Sequence, residues 1–201
     1  MVFKIFMQCI WSLVFLLTAK AAVVAPISRT ELKTALARYR SIERLDVDFK
    51  QTKILKDLGL NLESEGHLKL TPPSHVEWKV LKPEPLTVEL EQDKITIQSS
   101  GKKETFSQSQ NPSERDRKSY ATLLTWLKLD ADAILEKYDV TSLGPRKFRF
   151  VAKDKNEPML KSLEMELTPQ GHVAKLIFEE VSGDEMRLSF QKPTVIYRKS
   201  K

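Results

Sequence analysis

Two periods run along this chain, and the change from one to the other organises it. Leu32, Ala35, Leu36, Tyr39 and Ile42 recur at helical spacing, while Arg29, Lys33, Arg38 and Arg40 lie largely elsewhere. Ser28 and Glu31 stand just before them with the S-x-x-E spacing of a capping box, in which each side chain satisfies the other residue's backbone N–H. This predicts one amphipathic helix packed on a sheet. After Leu45 the period falls to two. Val47 and Phe49 alternate with Asp48 and Lys50, and Leu60, Leu62, Gly66, Leu68 and Leu70 oppose Glu63, His67 and Lys69. Val76, Trp78 and Val80 alternate with Glu77 and Lys79; Leu86, Val88 and Leu90 alternate with Glu89 and Glu91. Ile95 and Ile97 follow a predicted turn at Gln92-Asp93. One apolar and one charged side at period two is the mark of antiparallel strands that bury a single face.

The alternation then breaks. Residues 107–118, SQSQNPSERDRK, carry no apolar side chain and read as a surface loop. Two short helical stretches are expected next, at 119–129 and 131–138, the first rich in apolar residues: Tyr120, Leu123, Leu124, Trp126, Leu127 and Leu129. Strands resume with Phe148 and Phe150, then Leu163, Met165 and Leu167, then Ala174, Leu176 and Phe178, and close with Met186, Leu188 and Phe190. Turns are predicted at Pro169-Gln170-Gly171 and Ser182-Gly183-Asp184. About nine or ten strands result, interrupted once by helices. One helix and a short helical insertion are little cover for so many half-apolar strands. A strongly curved sheet that partly covers itself resolves the mismatch and can enclose an apolar cavity; an ordinary filled core satisfies the same pattern.

Composition narrows the class. The chain has 201 residues, 41% of them hydrophobic and 30% charged, enough for one domain with a real core. The net charge of +6 comes from 33 basic against 27 acidic residues, a modest excess that gives no argument for nucleic acid. Residues 1–21 read as a secretory signal peptide. Lys4 opens it, an apolar run follows from Ile5 to Leu17, and Ala19-Lys20-Ala21 fits small-x-small cleavage. The run is shorter than the roughly 20 apolar residues of a membrane span. Residues 22–201 are then the exported single domain. Cys9 is the sole cysteine and lies inside the apolar run, so the mature chain has neither a disulfide nor the cysteine of a lipid anchor.

Catalytic constellations are missing. There is no G-x-S-x-G, no Gly-rich phosphate loop and no H-E-x-x-H. His67 and His75 fall at solvent-facing positions and His172 adjoins a turn, so a metal site is not expected. Asp46 with Asp48, and Glu89 with Glu91, pair on one side of a strand, but opposite the apolar rows, which reads as a solvated face rather than acid–base machinery.

Short motifs point to a family. Phe49-Lys50-Gln51-Thr52 resembles the F-x-Q motif on the first strand of LolA-type outer-membrane lipoprotein carriers. Gly66-His67-Leu68-Lys69-Leu70, then Pro73, Trp78 and Pro83, resembles that family's G-x-L…P…W…P stretch. The likeness runs over most of residues 28–190. It implies an open half-barrel with a helical lid over a hydrophobic cavity that takes lipoprotein acyl chains. It further implies a monomeric periplasmic carrier without cofactor or catalysis, loaded by an inner-membrane releasing complex and unloaded by an outer-membrane receptor. On this resemblance Phe49, Leu68, Leu70, Val76, Trp78, Val88, Leu90, Phe148, Phe150, Met165 and Phe178 are candidate wall residues. Leu123, Leu124 and Leu127 are candidate lid residues. Plain core packing is the competing reading of each. The sequence departs from the family at Pro72, where enteric members carry a basic residue that holds the lid. Two other readings follow: a carrier of a free lipid or glycolipid on the same fold, and a non-enzymatic sensor or scaffold that binds protein through the charged sheet face.

Overall fold

The computed structural model describes residues 25–73, 75–91, 94–107, 118, 122, 125–126, 129–156 and 160–198. The expected signal peptide and most of the 107–118 loop lie outside the described residues. The element order is β1 (Ala25–Pro26), α1 (Arg29–Arg40), β2 (Ile42–Leu55), β3 (Leu60–Thr71), β4 (His75–Lys82), β5 (Leu86–Leu90), β6 (Lys94–Ser99) and β7 (Lys102–Ser107). Then come α2 (Ala131–Lys137), β8 (Tyr138–Gly144), β9 (Lys147–Ala152), β10 (Leu160–Leu167), β11 (Val173–Glu180) and β12 (Glu185–Tyr197).

The expected capping box is present in full. The Ser28 hydroxyl accepts from the Glu31 N–H at 3.2 Å, and the Ser28 N–H donates to the Glu31 carboxylate at 2.8 Å. Those bonds hold the Glu31 carboxyl below its usual range. Leu32 and Leu36 form the buried stripe of α1. The helix stops two residues earlier than the periodicity implied. The Ser41 N–H and hydroxyl both reach back to the Arg38 carbonyl, and Ile42 opens β2 opposite Tyr197 instead of continuing the helix. Its three-residue spacing from Tyr39 was a coincidence of register.

Among the described residues twelve strands form one sheet in the order β1-β8-β9-β10-β11-β12-β2-β3-β4-β5-β6-β7, with every neighbouring pair antiparallel. Among the described residues the ladder does not close on itself; β1 and β7 are its edges. Three strands exceed the expectation. β1 is two residues long, and β7 is largely polar, so neither shows an alternating apolar row. β8 begins at Tyr138, which the helical reading had absorbed into α2. β12 also runs on past Phe190: Lys192 takes a left-handed conformation (φ 51°), and pairing resumes at Thr194 opposite Asp46.

The sheet bends around α1. Leu32, Leu36 and the α2 residue Ile134 pack against Val140, Phe148, Phe150, Leu163 and Met165 of β8–β10. A second cluster gathers Ile42, Leu45, Val47, Leu70, Val76 and Leu90 from β2–β5. Tyr39, in the last turn of α1, touches both clusters, so strands far apart in the sheet meet one helix.

Candidate functional site: the concave apolar face

Cross-strand register lines the inner residues into rows. One runs Val47, Leu68, Trp78, Val88, Ile97 from β2 to β6. The next runs Phe190, Phe49, Gly66, Val80, Leu86 from β12 to β5. A third, on the same face in the other half of the sheet, runs Val140, Phe150, Leu163, Phe178, Met186.

The sequence-derived wall residues divide among three environments. Phe148, Phe150 and Met165 lie beneath α1 and α2, at 6%, 0% and 2% exposure, and are closed off by helix. Trp126, helical in its own right, adds to this cover. Its ring meets Phe150 edge-on at 5.0 Å, and its indole N–H donates to the Tyr138 hydroxyl at 3.2 Å. Leu70, Val76 and Leu90 are buried in the cluster at the Tyr39 end. Phe49, Leu68, Trp78 and Phe178 come together in a third cluster with Leu86, Leu176 and Phe190, and Val88 stands beside Trp78 on β5. In that third group Leu68, Trp78, Val88 and Phe178 remain half-exposed. Leu123, Leu124 and Leu127 lie outside the described residues.

A glycine builds the floor of the open part. Phe49 is 1% exposed and stacks on Trp78, with centroids 4.0 Å apart and planes 27° apart. Gly66 faces Phe49 on one side and Val80 on the other. A Cβ there would lie 2.7 Å from the Phe49 Cζ and overlap the Lys79 carbonyl oxygen. The missing side chain therefore makes room for the ring pair. Sequence reading placed Gly66 on the correct face without assigning it this task. It likewise omitted Leu86, Leu176 and Phe190, whose alternation carried the signal.

The outer face is laced with charge pairs. His67 lies between Asp46 and Asp48, with its Nδ1 3.0 Å from Asp48. Lys147 meets Glu164 at 3.1 Å, Lys161 meets Glu179 at 2.7 Å and Lys82 meets Glu65 at 2.9 Å. Lys161 and Ser162 together hold the Glu179 carboxyl below its usual range. Exposed pairs of this kind, screened by water, contribute little to stability. Among the described residues no group of three or more His, Cys, Asp or Glu is placed to hold a metal ion, and no helix is long and apolar enough to cross a membrane.

A cleft of about 690 Å³ opens between the first turns of α1 and the β8–β9 turn, lined by Ile27, Thr34, Pro145, Phe148 and Leu167 among others. It lies on the helix-covered side, away from Trp78.

Comparison with known proteins places this geometry. Residues 40–200 match the family model described as outer membrane lipoprotein carrier protein LolA. No curated protein matches the sequence. Among solved structures, the chain is similar to the LolA superfamily protein NE2245 from Nitrosomonas europaea, with 8% identity, 84% of this chain and 94% of that chain covered, and a TM-score of 0.41. It is similar to the Pseudomonas aeruginosa MucA/MucB complex structure, with 13% identity, 86% and 59% coverage and a TM-score of 0.48. The Mycobacterium tuberculosis lipoprotein LppX gives 10% identity, 82% and 93% coverage and a TM-score of 0.42.

Proposed function

The chain belongs to the LolA family of outer membrane lipoprotein carriers, and on that premise we propose that it is a periplasmic carrier that shields lipoprotein acyl chains on its concave face and moves them from the inner to the outer membrane. The observation that supports this most is the half-exposed apolar strip Leu68, Trp78, Val88 and Ile97, continuous across β3–β6 on the concave side. Each methylene taken from water is worth about 0.8 kcal/mol, so acyl chains do not cross an aqueous compartment unescorted. A floor of aromatic and aliphatic side chains shields them by many weak contacts and releases them without breaking a bond. No catalytic step is needed.

Residues 1–21 act in this reading as the export signal, and 22–201 as the carrier. Leu123, Leu124 and Leu127 supply the lid. Donor and acceptor are an inner-membrane releasing complex and an outer-membrane receptor. Pro72, standing where enteric members have a basic residue, favours one second reading: the same fold carrying a free lipid or glycolipid.

Mass spectrometry of the protein purified gently from the periplasm tests both. Under native conditions a bound mass is expected that denaturation releases. Triacylated peptide or lipoprotein supports the first reading; free lipid supports the second. An empty protein that also binds no acylated ligand in vitro removes both. Trp78→Arg puts a cation into the strip, and we expect at least a tenfold loss of acylated-ligand affinity in a protein that still folds. Undiminished affinity in the folded variant would take Trp78 out of the wall.

A further inference from the structure

The concave face is interrupted by one polar band. Going along β3 the inward positions are Leu70, Leu68, Gly66, Ser64 and Leu62; along β2 they are Leu45, Val47, Phe49, Gln51 and Lys53, each opposite its counterpart. Gln51 and Ser64 therefore face each other at the end of a row whose next members, Leu188, Leu176 and Met165, are apolar. One residue pair further, Lys53 reaches across β12 to form an ion pair with Glu180 of β11. The Ser64 hydroxyl oxygen is buried and has no hydrogen-bond partner among the described residues. A buried hydroxyl left unpaired costs about 1–3 kcal/mol, and an alanine in its place would avoid that cost.

We propose that Gln51 and Ser64 form a binding site for the ester or amide carbonyls at the junction between the acyl chains and the polar part of the cargo. This deepens the carrier reading and rests on it. The chemistry selects the ligand class. A serine hydroxyl and a glutamine amide both donate hydrogen bonds, and a carbonyl oxygen accepts them. Lys53 and Glu180 neutralise each other, so the band calls for a dipolar and uncharged group. The geometry selects the orientation. Trp78 stacks on Phe49, two residues from Gln51, which puts that aromatic floor roughly 7 Å from the band along the strand. Acyl chains lie over that floor, their carbonyls sit at Gln51 and Ser64, and the polar part of the cargo leaves past the β2–β3 turn.

The test compares a lipopeptide bearing two ester-linked palmitoyl chains with its diether analogue, which has equal chains and no ester carbonyls. Both are titrated against the full protein by displacement of an apolar dye. The wild type is expected to bind the diester about tenfold more tightly, the size of one or two hydrogen bonds. Ser64→Ala and Gln51→Leu are each expected to lower that ratio several-fold with the diether affinity retained. Ser64→Ala is also expected to melt at or above the wild-type temperature, since it removes an unpaired buried hydroxyl. An ester-to-ether ratio of one in the wild type, or an undiminished ratio in both variants, overturns the inference and leaves the carrier reading standing. Failure to bind either ligand overturns the carrier reading and this one with it.

Discussion

The face beneath α1 and the face around Trp78 are built from the same materials. Both are antiparallel strands with Leu, Val, Phe and Met at alternate positions, on one continuous sheet. Under the helices Phe150 and Leu163 are shut away completely. Across β3–β6, Leu68, Trp78 and Val88 stay half-exposed, while Phe49, Val80 and Leu188 beneath them are sealed. The difference comes from what is packed above the strands and from none of their own residues. An apolar row thus has two uses in this molecule: where a helix lies on it, it supports the fold, and where none of the described residues does, it is available to a ligand.

Substitutions can separate the two uses, and the largest effect belongs to the covered side. Phe150→Ala empties a site shared by α1-facing strands and Trp126, and should cost about 3–5 kcal/mol in urea unfolding. Its folded fraction should still bind acylated ligand as the wild type does, the reverse of Trp78→Arg. Equal binding losses in the two variants would abolish the division. Gly66→Ala comes next. Its methyl must displace Phe49 or the β4 backbone, for about 3 kcal/mol of stability, and should also erase the near-ultraviolet signature of the Phe49–Trp78 stack. Ser28→Ala removes one half of the capping box on the covering helix and should cost about 1 kcal/mol, with ligand affinity unchanged.

The smallest effect is one of pH. His172 bonds the Tyr197 hydroxyl and lies near Arg38, which itself stacks on the Tyr197 ring. Burial first, and the Arg38 charge second, hold its imidazole below the ordinary histidine range. The unfolded chain then takes up the proton more readily than the folded one, so stability falls as pH drops below about 6.5. Thermal melts at pH 7.5 and 5.5 should show that fall, and His172→Gln should flatten it.

Alternation made most of the sheet legible, because a strand with one buried face records its orientation residue by residue. Phe49, Leu68 and Trp78 were all placed on the correct side for this reason. The cap at Ser28 was legible too, being a bond between neighbours in sequence. What escaped depends on distance along the chain. β8 looked like the end of α2, since Tyr138 fits both periods and only its pairing with Ala152 decides. The second half of β12 was hidden by Pro193 and Lys192, which interrupt the pattern while the strand continues. The candidate site was half legible: its residues were named, but Phe148, Phe150 and Met165 could not be told from Trp78. Burial under a helix leaves no mark on the strand below it. The polar band was overlooked for the opposite reason, since Gln51 and Ser64 matter only as partners across two strands.

The position of β12 has a consequence in time. Strands β2–β7 pair in chain order, as do β8–β11, and the two runs are joined through β12, which lies between β11 and β2. The strand that seams the sheet is thus the last to be synthesised, and it pairs with residues some 140 positions earlier (Glu185 opposite Ile54, Tyr197 opposite Ile42). Contacts that distant form slowly. Until β12 pairs with both, β11 and β2 have no ladder between them, and the two runs of strands meet through α1.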